Sequence, residues 1–114
     1  MIVDQGYDKD FVLTWLDSAG LPYDISDWQI ILSVKAGYAE TVFLLVVDSA
    51  VVGFSTIQID GLLGKATFHL DHTDTVNLPA PKYLEYDIAY ISPGGAVQRR
   101  LFGTMYVRPR VTDV

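Results

Sequence analysis

Polar and apolar side chains alternate along most of this chain. In F-V-L-T-W-L-D, residues 11–17, Phe11, Leu13 and Trp15 fall on one side and Val12, Thr14 and Leu16 on the other, the two-residue period of a strand. Trp28, Ile30, Leu32 and Val34 then alternate with Gln29, Ser33 and Lys35, which predicts a strand with one face buried. Between these segments, W-L-D-S-A-G-L-P-Y-D-I-S-D-W interrupts the period. Gly20 takes a positive φ at little cost and Pro22 has no N–H for a ladder, so the stretch is predicted to link two strands.

A third segment, T-V-F-L-L-V-V at 41–47, has neither charge nor alternation. It predicts a continuous strand buried on both faces, covered either by a loop of the same chain or by another subunit. Residues 54–60 form a further strand. K-A-T-F-H-L-D, residues 65–71, places Ala66, Phe68 and Leu70 on one face and Lys65, Thr67, His69 and Asp71 on the other. Residues 71–81 are rich in capping and breaking side chains and predict a connection with one helical turn. Two long strands, 83–92 and 97–107, close the chain, joined by S-P-G-G-A, where Pro93, Gly94 and Gly95 predict a hairpin. Leu84, Tyr86, Ile88 and Tyr90 point inward from one, and Leu101, Met105 and Val107 from the other. Gly103 lies on that inward side, which predicts a bulge or a close approach.

With no long helical period, the pattern predicts an all-β fold: a single-domain antiparallel β-sandwich of 7–8 strands with immunoglobulin-like or related Greek-key wiring. It would span 1–114, with 1–8 as an N-terminal arm and 109–114 as a C-terminal tail. Half of the 114 residues are hydrophobic and 19% are charged, a balance that supports one packed core. The chain has no cysteine, so its stability is expected to come from packing and not from disulfides.

A net charge of −6 repels phosphate backbones, and nucleic acid is not an expected partner. No apolar run approaches the ~20 residues that cross a bilayer, and the N-terminal residues lack the basic and apolar regions of a signal peptide. A product made in the cytoplasm, without membrane insertion, is the expectation.

Candidate chemistry is sparse. H-L-D-H-T-D supplies His69, Asp71, His72 and Asp74, and imidazole with carboxylate suits zinc or manganese. The spacing matches no specific ligand pattern, so neither a metal nor a cofactor is assigned from sequence. Asp17, Asp24 and Asp27 lack the alternation of a calcium loop, and Asp24 and Asp27, which flank Ser26, are expected to bond nearby backbone N–H groups. Ser55, in G-F-S-T-I, lacks the setting of a nucleophile elbow, and no enzyme is expected. Arg99, Arg100, Arg108 and Arg110 are half of the eight basic residues. They are expected to pair with acids of a neighbouring strand or subunit.

The last third, Y-L-E-Y-D-I-A-Y-I-S-P-G-G-A-V-Q-R-R-L-F-G-T-M-Y-V-R-P-R-V-T, resembles a family of small tail-associated β-sandwich proteins of bacteriophages and prophages. Tyr86, Asp87 and Ile88 match its first strand, Gly94 and Gly95 its hairpin, and Gly103, Met105, Val107, Val111 and Thr112 its return. The stretch around Gly20 and Pro22 is similar to that family's linker into a second strand. The resemblance implies a virion structural protein, a collar, baseplate or fibre-attachment subunit acting in the phage tail through contacts with other tail proteins. A homo-oligomer, such as a ring, is expected. The expected assembly contacts are Val42, Phe43, Leu44, Leu45 and Val46, with Arg108 and Arg110 facing acids of the next copy. The alternative is a binding module whose loops 18–27 and 72–81, with Tyr23, hold a saccharide or host-surface ligand.

Overall fold

The computed structural model describes residues 1–111. Eight strands form two sheets: β1 (Ile2–Asp4), β2 (Lys9–Thr14), β3 (Gln29–Lys35), β4 (Leu45–Asp48), β5 (Thr56–Asp60), β6 (Lys65–Leu70), β7 (Lys82–Ile91) and β8 (Val97–Arg108). A single helical turn, α1 (His72–Thr75), lies between β6 and β7. One sheet is ordered β1-β8-β7-β3-β4 and the other β2-β6-β5. The chain is an all-β sandwich, as the alternation predicts. Its wiring is immunoglobulin-like: β2, β6 and β5 occupy the places of strands B, E and D, while β8, β7, β3 and β4 occupy those of G, F, C and C′.

Two features depart from the sequence reading at the N-terminus. Residues 1–8 are not an arm, because β1 is a sheet strand, and β1 runs parallel to β8, so the sandwich is not wholly antiparallel. The cause is in I-V-D: Val3 is fully buried while Ile2 on the other face is half exposed. Backbone bonds flank the pair, with Tyr106 N donating to the Met1 carbonyl and Gln5 N to the Arg108 carbonyl, both at 2.9 Å. At the other terminus, residues 109–111 follow β8 without regular structure; Thr112 and the rest of the expected tail lie outside the described residues.

Alternation decides the core. Ile30, Leu32 and Val34 of β3, Ala66, Phe68 and Leu70 of β6, Leu84, Tyr86 and Ile88 of β7, and Met105 and Val107 of β8 all point inward. Phe11 and Phe68 occupy paired positions of β2 and β6, and their rings stack at 4.6 Å. Where β2 ends, Trp28 stacks on Tyr90 at 4.6 Å, and Trp15 meets both edge-on at 5.9 and 6.0 Å. The loop from Trp15 to Trp28 therefore closes on itself, because its two terminal indoles share one aromatic cluster.

Inside that loop Asp17 and Asp24 bond locally, for Asp24 as the sequence predicts. Asp17 Oδ1 accepts from Ala19 N and Leu21 N at 2.9 Å each, around Gly20 at φ +82°. Pro22 then bridges back to Leu16. Asp24 accepts from both the N–H and the hydroxyl of Ser26, which holds its carboxyl below the usual range. The 3-10 turn Gly61–Leu63 locks into the same loop. Gly64 has φ +60°, and a Cβ there would lie 2.6 Å from the Trp15 carbonyl, a conformation and a contact that glycine alone accommodates.

The final hairpin matches the prediction, with Gly95 at φ +85° in the turn and Gly95 N bonded to the Ser92 carbonyl at 2.8 Å. A bulge interrupts it between Ile88 and Ala89, so that Ile88 pairs with Leu101 and Ala89 with Arg99. The bulge is therefore not at Gly103. That glycine instead sits opposite Tyr86, whose hydroxyl would be 3.2 Å from an added Cβ; what approaches is a ring and not a backbone.

Candidate functional site

The uncharged run at 41–47 is not one strand. Only Leu45–Asp48 is regular, and the usual alternation resumes within it: Leu45 and Val47 face the core, while Val46 is about half exposed. Val42, Phe43 and Leu44 precede the strand and are exposed. The run lacks alternation because a loop and a strand abut in it. Of the expected contact residues, Val42, Phe43, Leu44 and Val46 are thus presented outward and Leu45 is not.

β4 stands at an edge, with β3 its one sheet neighbour. Residues 49–55 then lead to β5 in the other sheet. They add Val51, Val52 and Phe54, all well exposed, and these share a depression with Val46. Edge strands are ordinarily guarded by charge, proline or shortness. This one has Asp48 and its four-residue length, yet it is surrounded by apolar side chains.

Phe43 connects this edge to the outer face of the five-stranded sheet. A groove of about 570 Å³ there is lined by Lys35, Tyr38, Phe43, Glu85, Asp87, Arg99 and Phe102, among others. Lys35 Nζ lies 4.5 Å from the Phe43 ring centre and the Arg99 guanidinium 4.9 Å from that of Phe102, distances at which cations are attracted to aromatic faces. Arg99 also donates to Asp87 at 2.7 Å.

The other arginines are engaged within the chain. Arg100 donates to the Thr14 carbonyl at 3.1 Å and lies 5.3 Å from the Trp15 ring centre. Arg108 makes a two-pronged pair with Asp4, at 2.5 and 2.9 Å, and this pair lowers the Asp4 carboxyl. Arg110 packs its side chain over Gly6. The expected pairing with an acid of a neighbouring strand is present for Arg99 and Arg108, whereas Arg100 bonds a backbone carbonyl instead.

Both histidines lie at the far end of the three-stranded sheet. Asp10 and His69 are paired positions of β2 and β6, and two-residue alternation brings Asp8 and Asp71 to the same face. The Asp10 Oδ1–His69 Nδ1 distance is 2.5 Å, and His69 Nε2 is 3.4 Å from Asp71 Oδ1. His72 Nδ1 lies 3.0 Å from Asp8 Oδ1 and 3.7 Å from Asp71 Oδ2. The hydrogen bond to Asp10, and less strongly that to Asp71, raises His69 above its ordinary pKa. Bonds from the His72 backbone and ring lower Asp8, and bonds from Thr73 lower Asp71.

Asp74, grouped with these residues in the sequence, faces elsewhere. It accepts from the Ser55 hydroxyl at 2.5 Å, and Ser55 Oγ in turn accepts from Asp71 N at 2.9 Å. Ser55 therefore joins the start of β5 to the turn after β6. The structure replaces Asp74 with Asp8 and Asp10, which the sequence signals only as D-K-D, an alternating pair of acids.

Loops 18–27 and 72–81 leave opposite ends of the antiparallel β2–β6 pair, since Thr14 pairs with Lys65 and Lys9 with Leu70. One small ligand does not reach both. No protein-family model matches the chain, and no curated protein matches it.

Proposed function

We propose that this chain is a structural module of a phage virion tail, an immunoglobulin-like sandwich that acts through protein–protein contacts and not through catalysis. The observation that carries this reading is the β4 edge, where Val42, Phe43, Leu44, Val46, Val51, Val52 and Phe54 are exposed around a strand with one sheet neighbour. An edge of this kind is a template for pairing with a further chain. Contiguous apolar surface is uncommon on proteins that work alone. The similarity of the Trp15–Trp28 linker and the β7–β8 return to tail-associated modules supports the virion setting. Its occupant is a second copy, or a neighbouring tail protein in the assembled tail.

Light scattering on the purified chain tests the self-assembly. The wild type is expected to be oligomeric, and the double variant Val46→Asp with Phe54→Asp to be a monomer with an unchanged far-ultraviolet dichroism spectrum. Leu45→Asp is the contrast. Its side chain packs against the core, so it should unfold the protein and not merely dissociate it. Retention of the oligomer by the folded double variant would remove β4 as the contact.

A further inference from the structure

We propose that the cluster where β2 begins and β6 ends binds one divalent transition-metal ion, zinc being the best suited, through Asp8, His69, Asp71 and His72. The spacing of the donor atoms is the first support. A tetrahedral ion with bonds near 2.1 Å separates its ligand atoms by about 3.4 Å. Here the His69–Asp71, His72–Asp8 and His72–Asp71 separations are 3.4, 3.0 and 3.7 Å, and one ligand atom from each of Asp8, His69 and Asp71 lies within 4.8 Å of the others. The exposed His72 side chain lies outside that group of three and would supply the fourth donor by rotating toward it.

Orientation is the second support. An ionised carboxylate only accepts, so His69 Nδ1–H donates to Asp10, and this bond turns Nε2 toward Asp71. A carboxylate behind an imidazole that offers its other nitrogen is the usual outer partner of a metal-bound histidine. The carboxylates that face the imidazoles are themselves held by backbone donors: His72 N binds Asp8 at 2.7 Å and Thr73 N binds Asp71 at 3.0 Å. The donors are thus positioned by the fold. A depression lined by Tyr7, Asp8, His72 and Arg110 gives access from solvent.

The chemistry of the set selects the ion. Two imidazole nitrogens with two carboxylates suit zinc, whereas calcium and magnesium prefer all-oxygen shells.

The test is calorimetric titration of zinc chloride into the full chain slightly above neutral pH, together with the imidazole ¹⁵N shifts. One zinc per chain is expected, with His69 Nε2 and His72 Nδ1 both shifted and no comparable response to calcium. Asp10→Ala should weaken zinc about tenfold, as loss of an outer carboxylate does elsewhere, and Asp8→Asn by more. Dichroism confirms folding, and His72→Gln, at an exposed position, substitutes for either variant that fails to fold. Absence of imidazole shifts in zinc excess would overturn the proposal. So would affinity unchanged in a folded Asp8→Asn, or an equal response to calcium.

Discussion

Gly103 marks how finely the core is fitted. A methyl group there would sit 3.2 Å from the Tyr86 hydroxyl and 3.3 Å from two carbons of its ring, and Tyr86 is itself buried. Gly103→Ala should therefore destabilise the protein by about 1–3 kcal/mol, the usual cost of overpacking, measured by urea unfolding. Adding Tyr86→Phe removes the nearest atom and should recover part of the loss, a coupling expected only of residues in contact. The inward position of Gly103 is readable from alternation alone. That a ring fills the space is not, because the partner of Gly103 depends on the register between β7 and β8, and the bulge near Arg100 shifts that register.

Elements were legible where one physical cause governed a whole segment. β3, β6 and β7 each keep one face dry and the other wet, as β8 does from Leu101 onward, so the two-residue period marks them. The run at 41–47 misleads because two causes meet in it: Leu45 and Val47 are apolar to fill the core, while Val42, Phe43 and Leu44 are apolar on the surface. β1 escaped detection because three residues are too few to show a period, and Val3 is the one buried residue among them. Arg108 closes it with the pair to Asp4. Asp4 is held below its ordinary value of 3.8 by that hydrogen bond, so the pair favours the docked strand only while Asp4 is ionised. Its contribution is complete above the ordinary value and disappears as pH falls through the lowered one. Asp4→Asn should accordingly ease the local opening of β1 at neutral pH, seen as faster exchange of the Gln5 and Tyr106 amides. In strong acid, variant and wild type should converge. The pair is solvent-exposed, so the effect is small.

At the scale of the molecule, the sandwich separates what the sequence places side by side. His69, Asp71, His72 and Asp74 span six residues, yet Asp74 turns to Ser55 while Asp8 and Asp10 arrive from more than fifty residues away. Strand pairing sets that convergence, and alternation specifies faces without specifying partners. The histidines were therefore legible as a candidate, but the set around them was not. The same geometry puts both tryptophans at the other end of the β2–β6 pair, in contact with each other and with Tyr90. Tryptophan fluorescence is consequently a reporter of one pole only. It follows the closure of the loop from Trp15 to Trp28 and the global unfolding transition, and is blind to occupancy at the histidine pole unless that occupancy moves the transition itself.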